Sequence, residues 1–299
     1  MVEPQNIFFP LSLILYGIGL LLNGAVLLIA GRDRTLRRNI HDKGLICLSA
    51  SSFLWCLVLI VCLIIALANG GYGGSLGSAM CSIEGLSVSF LVGITMTCHF
   101  ALAFDRWTLV WFDGQLARKW IVLAIGLTLM MDLIAFVGML AKPASWMKEY
   151  ESKAYCFVRS WDYNSLSEIW PTLFSLVNCW IVSNLVFLMY SGVYRKTVLT
   201  SRARRAMEGK GVSPTFPATS TSELEKRVFY RCCLIVGSFS LLYTPSLLAL
   251  IVRIATNAPL SPWTDGIISN VATLDVIVTP LIILYTREDY QKSLKRAWK

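Results

Sequence analysis

Residues Cys81 to Trp107, CSIEGLSVSFLVGITMTCHFALAFDRW, decide how the rest of the chain is read. The stretch is apolar enough to cross a bilayer, with a cysteine at one end and Asp105-Arg106-Trp107 at the other. Cys81 and Arg106 stand 25 residues apart, about 37 Å as a helix at 1.5 Å per residue. A hydrocarbon core is about 30 Å thick, so the two residues fall at or just beyond its opposite faces. An arginine beside an aspartate where a span leaves the membrane is costly to place and marks function. The plainer alternative is a helix-end ion pair snorkelling to the headgroups.

Composition agrees with a membrane protein. The chain is 56% hydrophobic and 15% charged, with mean hydropathy +0.61, whereas soluble domains carry about 25% charged residues. The net charge of +9 belongs to the loops and does not indicate nucleic acid. No metal-ligand spacing, Gly-rich phosphate loop or nucleophile elbow occurs. With only His41 and His99, histidine-based metal or triad chemistry has little material.

Moving outward from the central stretch, six further apolar segments are long enough to cross. They lie at about residues 11–29, 45–67, 120–140, 169–194, 228–254 and 266–284. The first lacks a basic leader and a small-residue cleavage site, so it is expected to be retained. The whole chain, residues 1–299, is read as one domain of seven spans. Residues 195–226 form a flexible cytoplasmic loop, basic and then rich in Gly, Ser, Thr and Pro. That loop is either a phosphorylatable segment or a plain connector. Residues 287–299 form a short amphipathic eighth helix and tail, with Tyr290, Leu294 and Trp298 on one face.

Basic residues set the orientation. Of the 27 lysines and arginines, 22 fall in the first, third and fifth loops and the tail. By the positive-inside rule the N-terminus is extracellular and the C-terminus cytoplasmic, in a multi-pass plasma-membrane protein. Seven of the nine cysteines lie within spans, where a thiol behaves as a small hydrophobe. Cys81 and Cys156 alone remain, both on the oxidising side, and a disulfide between them is expected.

The order of several short motifs then points to a family. Asn23-Gly24, Cys81-Ser82-Ile83-Glu84-Gly85, Asp105-Arg106-Trp107, Glu225 with Phe239 and Pro245, and Thr279-Pro280 followed by Tyr290 are spread over nearly the whole chain. In order and spacing they resemble the motifs of rhodopsin-like (class A) G-protein-coupled receptors, with the closest local likeness to opsins at helix three. Tyr190 falls where that family places an inward tyrosine of helix five. The resemblance implies an all-α bundle of seven transmembrane helices, without catalysis, with a heterotrimeric G protein and an extracellular ligand as partners. It places the coupling lock at Asp105, Arg106, Glu225 and Tyr190, and the ligand among Glu84, Val88, Tyr243 and Thr273. The switch and polar core would be Asn23, Ser51, Thr95, Phe239, Pro245, Asp275, Thr279 and Pro280.

Departures from the family pattern carry information. Thr273 stands where an opsin has its retinal lysine, and residues 266–284 contain no lysine. Glu84, which resembles the opsin counter-ion, thereby loses its expected cation. Val88 occupies the place of the amine-receptor aspartate, so that ligand class draws no support from the resemblance. Tyr243, Val182 and Ile283 replace a tryptophan, a proline and a tyrosine of the usual switch. Ser51 stands for the helix-two aspartate, and Asp275 could supply the acid of a sodium site instead; a hydrogen-bonded acid is the plainer reading. His99 is expected to be packed and satisfied, and Asp132 has no assigned role. Two alternatives are a receptor-like protein that no longer signals, and a transporter or channel. The latter lacks the internal repeats and broken helices of secondary transporters and the lysine of microbial pigments.

A Schiff base needs an amine at the right place. Incubation with retinal followed by borohydride reduction is therefore expected to leave no retinyl adduct within residues 266–284, as read by peptide mass mapping. An adduct there would show that the helix-seven register is wrong.

Overall fold

The structure, a computed structural model, describes residues 3–33, 40–69, 74–112, 118–140, 147–150, 152, 155–158, 173, 180–196, 199, 218–287 and 290–291. Seven helices form the bundle: α1 (Gln5–Arg32), α2 (Ile40–Ala68), α3 (Gly74–Phe112), α4 (Arg118–Leu140), α5 (180–196), α6 (Ala218–Thr256) and α7 (Pro262–Thr286). Among the described residues, α1, α2, α3, α6 and α7 are each long and apolar enough to span a bilayer. The described part of α4 contributes a shorter apolar run, Ile125–Ile134.

The expected helical bundle carries one short addition, a two-stranded antiparallel hairpin of β1 (Met147–Glu149) and β2 (Cys156–Val158). One boundary changes: the segment read as a loop to residue 226 is shorter, because α6 begins at Ala218. Ser222-Glu223-Leu224-Glu225-Lys226 ends that segment with good helix formers, which outweigh the Ser/Thr content ahead of them. Most of residues 197–217, and residues 292–299 of the expected eighth helix, lie outside the described residues. At the start of that element Tyr290 is fully buried, packed in one cluster with Val26, Leu48 and Ile283.

One stripe of α1 explains how it seats on α7. Residues 8, 12, 16, 19 and 23 recur at the three- and four-residue spacing that keeps one face of a helix in register. Ser12 Oγ donates to Asn270 Oδ1 at 3.2 Å, Tyr16 and Thr273 share a hydroxyl–hydroxyl bond of 3.2 Å, and Asn23 Nδ2 donates to the Val276 carbonyl at 2.8 Å. A methyl on Gly19 would come within 2.5 Å of Val276, so glycine is what lets the backbones approach here. α7 itself starts cleanly, with Ser261 Oγ accepting from the Thr264 amide at 3.1 Å and Pro262 at the first helical position. A turn at Leu274 divides it into Pro262–Thr273 and Asp275–Thr286.

The hairpin closes one end of the bundle. Cys156 of β2 is joined to Cys81 of α3 by the expected disulfide, across 75 residues of sequence. A buried ion pair fastens the same hairpin to two other helices. Arg253 near the end of α6 meets Asp265 in the first turn of α7, with side chains 4% and 1% exposed. Tyr155 donates its hydroxyl to Asp265 Oδ1 at 2.7 Å, and the Ser152 amide donates to Oδ2 at 3.2 Å. The Arg253 guanidinium lies 4.4 Å from the centre of the Tyr150 ring, which in turn packs on Tyr155 at 4.8 Å. Burial, then the neighbouring Asp265, hold the Tyr155 phenol well above its ordinary pKa, so it remains a neutral donor.

Removing one member of a buried pair strands the other charge, at a cost of about 3–5 kcal/mol, whereas replacing both with apolar groups costs far less. Arg253→Leu and Asp265→Leu are each expected to lower the melting temperature of the purified protein sharply. The double variant is expected to recover most of the loss in a double-mutant cycle. Additive effects of the two substitutions would show that the pair does not act as a unit.

Candidate functional site

Beneath the hairpin lies a cavity of about 270 Å³. It is large enough for a small organic molecule and bounded by the ends of α3, α6 and α7 nearest the hairpin. Glu84 and Val88 of α3, Tyr243 of α6 and Thr273 of α7 all line it, so the four residues singled out from sequence meet at one cavity. Glu84 is 1% exposed and Thr273 3%. Thr273 is tied down twice, to Tyr16 across the helix interface and to the Ser269 carbonyl at 3.0 Å.

Sequence reasoning left several lining residues out. Tyr16 and Trp55 reach the cavity from α1 and α2, Asp132 and Phe136 from α4, and Arg253 from the fastening described above. Asp132 acquires a definite setting: Thr97 Oγ1 donates to its Oδ2 at 3.0 Å. A methyl on Gly93 would come within 2.8 Å of its carboxyl carbon, so the bare backbone there admits the acid against α3. The available signal was a carboxylate in mid-span, which rarely exists without a job.

Below the cavity, aromatic rings stack toward the middle of the bundle. Phe239 is 4% exposed, lies 4.6 Å from the Tyr243 ring and 4.6 Å from the His99 ring, and thus bridges α6 to α3. His99 is packed as expected, but not satisfied. Its Nε2 has no hydrogen-bond partner among the described residues, because an apolar and aromatic wall faces it. Pro245 sits inside α6 two residues beyond Tyr243 and removes a helical N–H there. The preceding Thr244 donates to the Ser240 carbonyl at 2.5 Å.

The polar core divides into two groups. Ser51 Oγ and Thr95 Oγ1 lie 3.2 Å apart between α2 and α3, and each also donates to a carbonyl of its own helix. Around α7, Thr279 Oγ1 donates to Asp275 Oδ1 at 2.9 Å, with both residues 1% exposed. Pro280 follows, and its missing N–H leaves the Val276 carbonyl without the usual helical donor. Asn23 fills that vacancy by donating to this carbonyl, and it donates also to Gly19 O at 2.8 Å. A cation near Asp275 would rest on one carboxylate and neutral oxygens, since no group of three metal-ligating His, Cys, Asp or Glu occurs among the described residues.

At the end of the bundle away from the hairpin, Tyr190 points inward, 7% exposed, in a cluster with Phe100, Ala103 and Val186. Asp105 accepts a bond from Thr108 at its backbone carbonyl, 2.9 Å away. Lys196 of α5 reaches across to donate to the Val110 carbonyl near the end of α3, with its ammonium 5.1 Å from the centre of the Trp111 ring. The side chains of Arg106 and Glu225 lie outside the described residues.

Comparison with known proteins places this geometry. The sequence matches the family model of the seven-transmembrane receptor, rhodopsin family, over residues 22–283. Among solved structures, the crystal structure of squid rhodopsin superposes with a TM-score of 0.79 at 15% sequence identity. That superposition covers 99% of this chain and 82% of the squid chain, and at such identity it speaks for the fold. No curated protein matches the sequence. Seven helices, the hairpin disulfide and a family match over most of the chain lead to one conclusion: this multi-pass membrane protein belongs to the rhodopsin family of seven-transmembrane receptors.

Proposed function

We propose that the chain is a signalling receptor in the plasma membrane, with the hairpin end outside the cell and the Arg106 end in the cytoplasm. A small extracellular ligand enters the cavity bounded by Glu84, Val88, Tyr243 and Thr273, and a heterotrimeric G protein docks at the opposite end. No bond of the ligand is made or broken, and the polypeptide carries no covalent retinal. The observation that carries this reading is the cavity itself, lined in part by the hairpin and by rings that connect it to α6 next to Pro245. The distribution of basic residues supports the orientation.

A ligand shifts a two-state equilibrium only through different contacts in the two states. Tyr243 and Phe239 stand next to Pro245, where α6 lacks one backbone bond and bends most cheaply. Pressure on the Tyr243 ring from a bound molecule is therefore passed to the inner half of α6. In the resting state Arg106 pairs with Asp105 and with Glu225, holding α6 against α3, with Tyr190 as the neighbouring inward side chain. A hydrogen bond between charged groups is worth about 1.5–3 kcal/mol, and receptor states differ by a few kcal/mol. One such lock is enough to set basal activity.

Glu225→Gln is accordingly expected to raise ligand-independent G-protein dissociation several-fold at matched surface expression, and Arg106→Ala to impair coupling. Both are read in cells by a G-protein dissociation sensor. Unchanged basal activity in Glu225→Gln would remove the lock, and absence of any G-protein response to a ligand screen would remove the signalling role.

A further inference from the structure

Helices α2 and α3 meet in successive antiparallel rungs toward the end of the bundle away from the hairpin. In one rung Ser51 Oγ lies 3.2 Å from Thr95 Oγ1. Two turns along α2, a methyl on Gly44 would come within 2.7 Å of the Leu102 side chain, so the backbones run close together there. Cys47 and Cys98 occupy the rung between, three or four residues from each neighbour, which keeps them on the same two helix faces. Their thiols share a hydrogen bond, and both cysteines are free. The two differ in access. Cys47 is exposed, whereas Cys98 is 6% exposed and packs in the cluster with Leu45, Leu48 and Ile283. Lys43 is exposed one turn before Cys47, which sets the pair only about 6 Å along the helix from a charged side chain.

We infer that Cys47 and Cys98 are an oxidation site, closed by hydrogen peroxide into a disulfide that ties α2 to α3. The exposed thiol reacts first, as its thiolate. Cys47 Sγ attacks one peroxide oxygen and the O–O bond breaks, leaving a sulfenic acid. The departing hydroxide takes up the proton that Cys47 gave off, making one water. Cys98 Sγ then attacks the Cys47 sulfur, the S–O bond breaks, and the second hydroxide leaves as water with the Cys98 proton. Two thiols lose two electrons, and one peroxide is reduced to two waters. A disulfide needs Cα atoms less than about 7 Å apart, and the bare backbone at Gly44 keeps the helices at close range one turn away. The crosslink falls eight residues before Arg106, about 12 Å along α3. In the orientation proposed above that end faces the cytoplasm, where glutathione keeps thiols reduced, so the closed form is a transient state under peroxide.

The test needs neither a ligand nor a G protein. The purified full-length chain in nanodiscs is treated with hydrogen peroxide, its remaining thiols are blocked with N-ethylmaleimide, and the unreduced digest is mapped by mass spectrometry. The peptides holding Cys47 and Cys98 are expected to be joined in most chains, and to separate on treatment with dithiothreitol. Cys56 and Cys62, both buried, are expected to remain thiols. With dimedone present as a trap, Cys98→Ser is expected to raise the sulfenic acid adduct at Cys47 by at least about fivefold, because the second thiol no longer resolves it. In Cys47→Ser, Cys98 is expected to stay a thiol. Recovery of Cys47 and Cys98 as blocked thiols after peroxide would overturn the proposal. Oxidation of Cys56 or Cys62 as fast as Cys47, or no rise of the adduct in Cys98→Ser, would do the same. Should Cys98→Ser fail to fold, the wild-type crosslink map and Cys47→Ser decide alone.

Discussion

The contact between Arg253 and Asp265 sets the terms for one whole end of the molecule. Taking two ions out of water costs several kcal/mol for each, and attraction between them offsets that only when the remaining polar atoms are also met. Here both Asp265 oxygens accept hydrogen bonds, from Tyr155 and from the Ser152 amide, while the guanidinium rests on the Tyr150 ring. The partners that make the pair tolerable are the residues of the hairpin and its turn. The hairpin thus serves as solvent for the ion pair, and the ion pair serves as the hairpin's mooring on α6 and α7. The disulfide from Cys156 adds α3 to the same assembly. Three helices and a two-stranded sheet are mutually dependent through a handful of side chains, and the cavity exists because they form a roof above it.

A comparable economy operates deeper in α7. Proline inside a membrane helix frees a carbonyl that lipid cannot satisfy. Pro280 does this to Val276, and the vacancy is met by Asn23 from α1. The carbonyl freed in one helix is thereby converted into a polar contact with another. Gly19, one turn away on α1, removes the side chain that would otherwise keep the two backbones apart.

Much of this was legible in the sequence, for identifiable reasons. Spans of apolar residues have to be long, so the seven segments and the position of Cys81 relative to Cys156 could be read directly. Pro245 and Tyr190 were singled out by the family resemblance, and the structure puts the first inside α6 and the second in a buried cluster. What escaped were pairings between helices. Arg253 looked like one more charge near a membrane surface, and Asp265 drew no notice at the start of a span. Only the fold brings them together with a tyrosine from the hairpin. Tyr16 and Ser12 were silent for the same cause, since a hydroxyl in a span has meaning only once its neighbour is known. The hairpin itself is three residues per strand, too short for alternation to register. The reading of α6 erred differently, by letting serines and threonines outweigh the helix formers that follow.

The fastening of α6 at Arg253 has a mechanical corollary. A rod pinned near one end would behave as a lever once its other end were released. From Arg253 to Ala218, at the start of α6, is 35 residues, about 52 Å of helix. Tilting that length by about 10° carries the free end through about 9 Å, the scale of a helix diameter. Displacements too small to disturb the roof, of a fraction of an ångström close to the pin, are multiplied along the shaft. Pro245 lies only eight residues from the pin, so the flexible joint sits near the fulcrum and most of the rod lies beyond it. Geometry of this kind would let a stiff cap govern large displacements at the opposite face.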